Sequence, residues 1–340
     1  MLNLRHGRGL RDAIDVVRPD VVHLNERGML QAAIIARRSG AAVVMHARSV
    51  ADPRPAWLVR LSRRIIARNV DRVIAIDGSV RRSLGAIAAA DVVHNPLAVV
   101  PVAGAPPLAA IEPAGPTTST GGVRVVYLTG LAPAKGIWDL VAAAERLAAR
   151  TDIELVIAGA NGRSPAFHRS LSGRLARLSG LVPDVESDLR RRVSAGDLDG
   201  AFRLVGHLED PGPLIRSSDI LVFPNHHDGP GRSVIEAAIE GVPSIVALRH
   251  RVEDVVVDGE SGLIVPPRDP AALAAAIERL ADDPALRSRL GAAAQAGAAT
   301  RSDPTVVARQ VVVIYNEVLV SRGTGSGHRP TPSSGSRSRP

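Results

Sequence analysis

This 340-residue sequence contains no cysteine. Disulfides, thiolate metal sites and a cysteine nucleophile are excluded with it. Aromatic residues make up only 2% of the chain. Base-stacking surfaces need rings, so the stacking modes of nucleic-acid recognition lack their raw material. Lysine is nearly missing as well: Lys135 is the one lysine among 42 basic residues. No uncharged apolar run reaches the roughly 18 residues that a membrane-spanning helix needs. The opening residues MLNLRHGRGLRDA lack the apolar segment of a signal peptide. A cytoplasmic location is the expectation.

What is present is aliphatic. Hydrophobic residues are 45% of the chain, and with so few rings the core must be built from Val, Ile, Leu and Ala. Such a core suits parallel strands buried under helices on both faces. The net charge is +8, which favours anionic partners: phosphates or acidic lipid surfaces. Nucleic acid is prompted by charge alone and is not expected, because no recognisable binding module accompanies it.

Strand-like runs alternate with helix-like runs through most of the chain. They fall at 20–24, 42–46, 72–76, 123–128, 154–158, 202–205, 220–223 and 244–247, with helical patterns at 137–150 and 233–240. This alternation predicts two Rossmann-like domains with doubly wound parallel sheets. A stretch at 101–122, rich in Pro, Gly and Thr, breaks the pattern. The expected organisation is a partial N-terminal domain over 1–105 and a linker over 106–122. A C-terminal domain follows over 123–304, then a helix over 305–320 and a disordered low-complexity tail over 321–340. Only about three strands precede the linker, and the chain opens in a helix-like segment. A Rossmann unit normally opens with a strand and a Gly-rich turn, so the N-terminal domain reads as incomplete.

Two segments carry candidate chemistry. In the first, the strand Val123–Leu128 runs into a loop holding Lys135 and Gly136, just before a helix. Ligands of open α/β sheets bind above the strands' carboxyl ends, and a compact ammonium there suits a diphosphate. The plainer alternative is a solvated loop lysine. In the second, the strand ending at Phe223 leads through Asp228-Gly229-Pro230-Gly231-Arg232 into a helix carrying Glu236. The helix start offers unpaired N–H groups to a phosphate, and a carboxylate can accept hydrogen bonds from sugar hydroxyls. The structural alternative for Glu236 is a capping box with Ser233.

Three further segments have local readings. Asp197-Leu198-Asp199 is a D-x-D triplet in a polar stretch and reads as solvated. His226-His227 are adjacent at a strand end and point apart, so they read as loop residues rather than a zinc pair. No metal site is expected. Residues 55–68 form a basic amphipathic helix with Trp57, Leu61 and Ile65 at four-residue spacing. Its stripe either faces the core or docks on anionic membrane.

Together the two loop segments resemble glycosyltransferase family 4, the group 1 retaining enzymes of the glycosyltransferase B fold. Family members usually carry G-R-L-x-P-x-K-G and E-G-x-G-x-x-x-x-E-A. Here the second reads D-G-P-G-R-S-V-I-E-A, followed by Gly241-Val242-Pro243. Arg18 to His23, His94 to Leu97 and Asp258 to Val265 are further echoes. The resemblance implies transfer of a sugar from a nucleotide sugar to a cell-surface polysaccharide, glycolipid or small glycoside, with retention, without metal and without cofactor. It implies that Lys135 binds the donor diphosphate, that Glu236 holds the ribose hydroxyls and that Asp228 contacts the sugar. Gly136, Gly229, Gly231 and Arg232 would join the donor site, and His46, ending a strand, would sit near sugar and phosphate. A lipid-linked acceptor would place the protein on the inner face of the plasma membrane. Gly130 stands where the family's phosphate-binding arginine sits, with Arg232 and Arg249 as possible replacements. The second reading is a catalytically impaired sugar-nucleotide-binding or partner-binding remnant.

Overall fold

The computed structural model describes residues 4–50, 55–85, 90–97, 122–162, 166–167, 170–178, 183–194, 202–250 and 254–325. Residues 106–121 of the expected linker, the Asp197-Leu198-Asp199 triplet and residues 326–340 of the expected tail lie outside them. The chain divides into two compact units. One gathers residues 1–76, 83–93 and 308–340, the other 77–82 and 94–307.

The first unit holds four parallel strands, β1 (Val21–Leu24), β2 (Ala42–Ala47), β3 (Arg72–Ala75) and β4 (Ala90–Val92), in the order β1-β2-β3-β4. Every residue of β2 is buried, as the unbroken apolar run requires of a central parallel strand. Among the described residues the count is four where the sequence suggests about three. Ala90-Asp91-Val92 is only three residues long, too short for its pattern to announce a strand. Tertiary pairing creates it: Val93 N–H donates to Ala75 at 2.9 Å, and Arg72 on β3 clasps Asp91 at 2.6 Å.

From Ala308 onward the C-terminal helix Pro304–Gly325 belongs to this first unit. Arg322 donates to the Gly40 carbonyl at 2.7 Å, and the Tyr315 hydroxyl lies 2.7 Å from Nδ1 of His23. The helix Ala56–Asn69 corrects one of its two sequence readings. Trp57 is 64% and Leu61 47% exposed, while Ile66 is buried. Trp57 and Leu61 therefore face outward, Ile65 is half-buried, and the inward face lies one position further along. Among the described residues no helix is long and apolar enough to cross a membrane.

The second unit is built on β5 (Val123–Leu128), β6 (Ile153–Ala158), β7 (Phe202–Gly206), β8 (Ile220–Phe223), β9 (Ser244–Ala247) and β10 (Gly262–Val265). All neighbours are parallel, in the order β10-β9-β8-β5-β6-β7. Successive side chains of a strand point to opposite faces, and here both faces are cores. Val125, Tyr127, Ile220, Val222 and Ile245 enter one apolar cluster. Val126, Leu221, Phe223 and Val246 enter the other. This two-sided burial explains why the strands read as continuous apolar runs. It also makes the sheet doubly wound, as expected.

Strand order sets the site. From β5 the chain builds outward through β6 and β7, then returns to lay β8, β9 and β10 on the other side. β5 and β8 are therefore neighbours whose following loops diverge. A crevice opens at such a switch point, beyond the carboxyl ends of the strands.

Candidate active site

At that switch point the second unit has a cavity of about 490 Å³. Its wall takes Leu128 to Gly130 and Lys135 after β5, Ala158 to Asn161 after β6, and His207 after β7. Phe223, Gly231, Arg232, Ser233 and Glu236 complete it at and after β8. Four residues singled out in the sequence thus meet here: Lys135, Gly231, Arg232 and Glu236.

Lys135 ends a short 3-10 turn, Pro133–Lys135. Tyr127, fully buried on β5, shares its one hydroxyl proton between two carbonyls of the loop, Gly130 at 3.2 Å and Lys135 at 3.4 Å. Burial pushes the Tyr127 phenol upward, so it stays a neutral donor. The Lys135 ammonium lies 5.9 Å from the centre of the Phe223 ring, at the outer limit of a cation–π contact. Burial draws its pKa below the ordinary ammonium value. Among the described residues no carboxylate pairs with it. A half-buried cation without an anion is a receptive point for an anionic ligand.

The loops after β5 and β8 interlock. His226 N–H donates to Ala134 at 3.0 Å, and His226 Nε2 lies 2.8 Å from the Asp139 carboxylate. Gly136 has φ +71 and its α-carbon backs onto the Pro224 carbonyl, which any β-carbon would overlap. Gly231 lies over Phe223, whose ring a β-carbon would meet at 2.5 Å. Both glycines are required by close approach. Gly229, with φ +122, supplies the turn between them.

The capping-box reading of Glu236 does not hold. The helix runs Arg232–Ile239 with Gly231 as its N-cap, and no side chain caps it. Ser233 is the second helical residue, too late to serve. Instead Glu236 Oε1 accepts from Nε of Arg232 at 2.8 Å. Of the two arginines considered as extra phosphate charges, Arg232 lies on the wall and Arg249 does not.

Gly136 and Gly229 lie off the wall, and so do Asp228 and His46. Asp228 accepts from Arg249 N–H at 2.7 Å and lies 2.8 Å from Nδ1 of His250. Burial raises its pKa, but the hydrogen bonds from His250 and from the Arg249 and His250 backbone outweigh that and hold it below the ordinary value. His46 belongs to the first unit, buried at the end of β2, with its ring 5.4 Å from that of His23. Neither ring nitrogen has a hydrogen-bond partner among the described residues. Burial, helped by Arg48 and His23, lowers its pKa to about 4; the Val93 backbone works the other way without reaching hydrogen-bond geometry.

The sign of this shift makes a prediction. The fold favours the neutral imidazole, so His46 costs no stability above the unfolded pKa near 6.5. Stability is lost as pH falls from there towards 4. The His46 ring proton resonance is expected to keep its neutral position down to about pH 5. A midpoint above 6 in an NMR titration would contradict the buried environment.

Tyr127 and Asn161 were not singled out in the sequence. Asn161 is fixed by the Asp184 carboxylate at 2.7 Å and by Glu186 N–H at 3.1 Å. Position at a strand end was the one available signal, and it does not separate Asn161 from other loop residues.

Fold and cleft define the second unit as an open doubly wound α/β domain with a cavity at the switch point. Residues 122–283 match the family model of glycosyl transferases group 1. The chain is 29% identical over 198 residues to glycogen synthase of Mycobacterium tuberculosis, covering 58% of this chain and 43% of that protein. It is 36% identical over 133 residues to phosphatidyl-myo-inositol mannosyltransferase of Mycobacterium leprae, covering 38% and 35%. It thus spans less than half the length of these relatives. The solved structure of Anabaena Alr3699/HepE in complex with UDP shares the fold, with TM-score 0.71 at 17% identity over 91% of this chain and 82% of that one.

Proposed function

We propose that the chain is a glycosyltransferase, moving a sugar from a nucleotide-sugar donor to a polysaccharide, glycolipid or small glycoside with retention and without a metal. The observation that carries this reading is the switch-point cavity, which puts Lys135, Arg232 and Glu236 on one wall inside the segment matching the family model. In this reading Lys135 takes the donor diphosphate and Glu236 the ribose hydroxyls. As the sugar leaves, negative charge grows on the diphosphate. A fixed ammonium and the N-terminus of helix Arg232–Ile239 stabilise that charge without reorganising. Asp228, held ionised, accepts from sugar hydroxyls.

The test of the donor site is Glu236→Gln. Glutamine keeps the shape, and the arginine end of the ion pair it breaks is exposed, so melting should move by no more than about 2 °C. One acceptor oxygen becomes a donor group, so two ribose hydroxyls can no longer both donate. Nucleotide-sugar affinity is expected to fall roughly tenfold or more. Unchanged affinity by calorimetry would remove Glu236 from the site. Donor binding with no transfer to any acceptor would favour the impaired remnant, the reading that Gly130 in place of an arginine supports.

Peripheral contact with the inner face of an anionic membrane belongs to the same proposal. Trp57 and Leu61 stand outward on a helix that also carries Arg60, Arg64 and Arg68. Cosedimentation with phosphatidylglycerol vesicles should drop for Trp57→Ala with Leu61→Ala; equal recovery would refute it.

A further inference from the structure

The Arg232–Glu236 pair is poorly placed for a purely structural contact. Arg232 is the first residue of its helix, where the helix end already presents positive potential and disfavours a cation. Arginine four residues before glutamate is also the weaker order for such a pair. The Arg232 side chain is 76% exposed, that of Glu236 15%. With its guanidinium end open to water, the pair is readily broken from the arginine side. Both residues line the same cavity as Lys135. An anion bound there would offer the guanidinium a better partner and offset the unfavourable helix end.

We propose that Arg232 exchanges between two partners, the Glu236 carboxylate and the diphosphate of a nucleotide ligand. This rests on the donor-site reading above. The diphosphate draws the guanidinium away, and Glu236 is thereby released to the ribose hydroxyls. A nucleoside carries no anion, so it must compete with Arg232 for Glu236. The exchange thus makes the cavity selective for nucleoside diphosphates over nucleosides by more than the phosphate contact alone.

The experiment is calorimetry on the full chain, wild type and Arg232→Ala. The probes are ADP, GDP and UDP, with each nucleoside measured by displacement of the diphosphate so that weak affinities are readable. Because Arg232 is exposed, the variant should melt with the wild type. The expected signature is a change of opposite sign. Nucleoside affinity rises about threefold as Glu236 is freed, while diphosphate affinity falls about tenfold. Losses of both, or no change in the nucleoside, would overturn the exchange while leaving the donor site standing. Failure of the wild type to bind any of the three diphosphates would instead overturn the donor-site reading.

Discussion

Gly136→Ala is expected to lower the unfolding free energy of the second unit by about 3–5 kcal/mol and to abolish nucleotide binding. Two effects add. The residue sits at φ +71, a left-handed conformation that costs a β-carbon about 1–2 kcal/mol. The β-carbon would also overlap the Pro224 carbonyl. That oxygen belongs to the loop after β8, which His226 ties back to Ala134, so neither loop can retreat alone. Gly259→Ala is the control within the same unit. Gly259 has φ +77 with open space beyond it, so its substitution should cost only the conformational part, about 1–2 kcal/mol. Urea denaturation of both variants compares them directly. Equal losses would mean that the interlocked loops yield easily and that Gly136 is a turn residue only.

Lys135→Met is expected to move stability and binding in opposite directions. Burial draws the Lys135 pKa down, so the fold pays to keep the ammonium charged, and no carboxylate among the described residues offsets it. Methionine fills the same space over Phe223 without that charge. Melting should stay level or rise, by the equivalent of about 1 kcal/mol at most. Diphosphate affinity should fall ten- to hundredfold, since a charge-assisted hydrogen bond contributes about 1.5–3 kcal/mol. Nucleoside affinity should barely change. Equal losses for nucleoside and diphosphate would show that Lys135 does not touch phosphate. A marked drop in melting temperature would show that its role is structural.

Much of this site was legible because its parts are local. A Gly-rich loop between a buried strand and a helix announces itself in the residues Asp228 to Arg232. The one lysine of the chain stood out by contrast with its arginines. Tyr127 did not, because a tyrosine in an apolar run reads as core. Its function comes from the hydroxyl reaching Gly130 and Lys135. Ser233 and Glu236 had the spacing of a capping box, and only the position of the helix start ruled it out. β4 was missed for the same kind of reason: Ala90-Asp91-Val92 is a strand because β3 is beside it, not through its own propensity.

By itself, the sequence determined that this chain alternates strands and helices, that its core is aliphatic and that its chemistry gathers on two loops. Periodicity and turn residues are short-range properties, so they survive without coordinates. Strand order was decided by tertiary structure alone, because nothing in a parallel strand's sequence says which neighbour it pairs with. That order makes β5 and β8 adjacent. Adjacency brings Lys135 and Glu236, a hundred residues apart, onto one cavity wall. The structure also places the helix start at Arg232, which turns Glu236 from a cap into the partner of an exposed arginine.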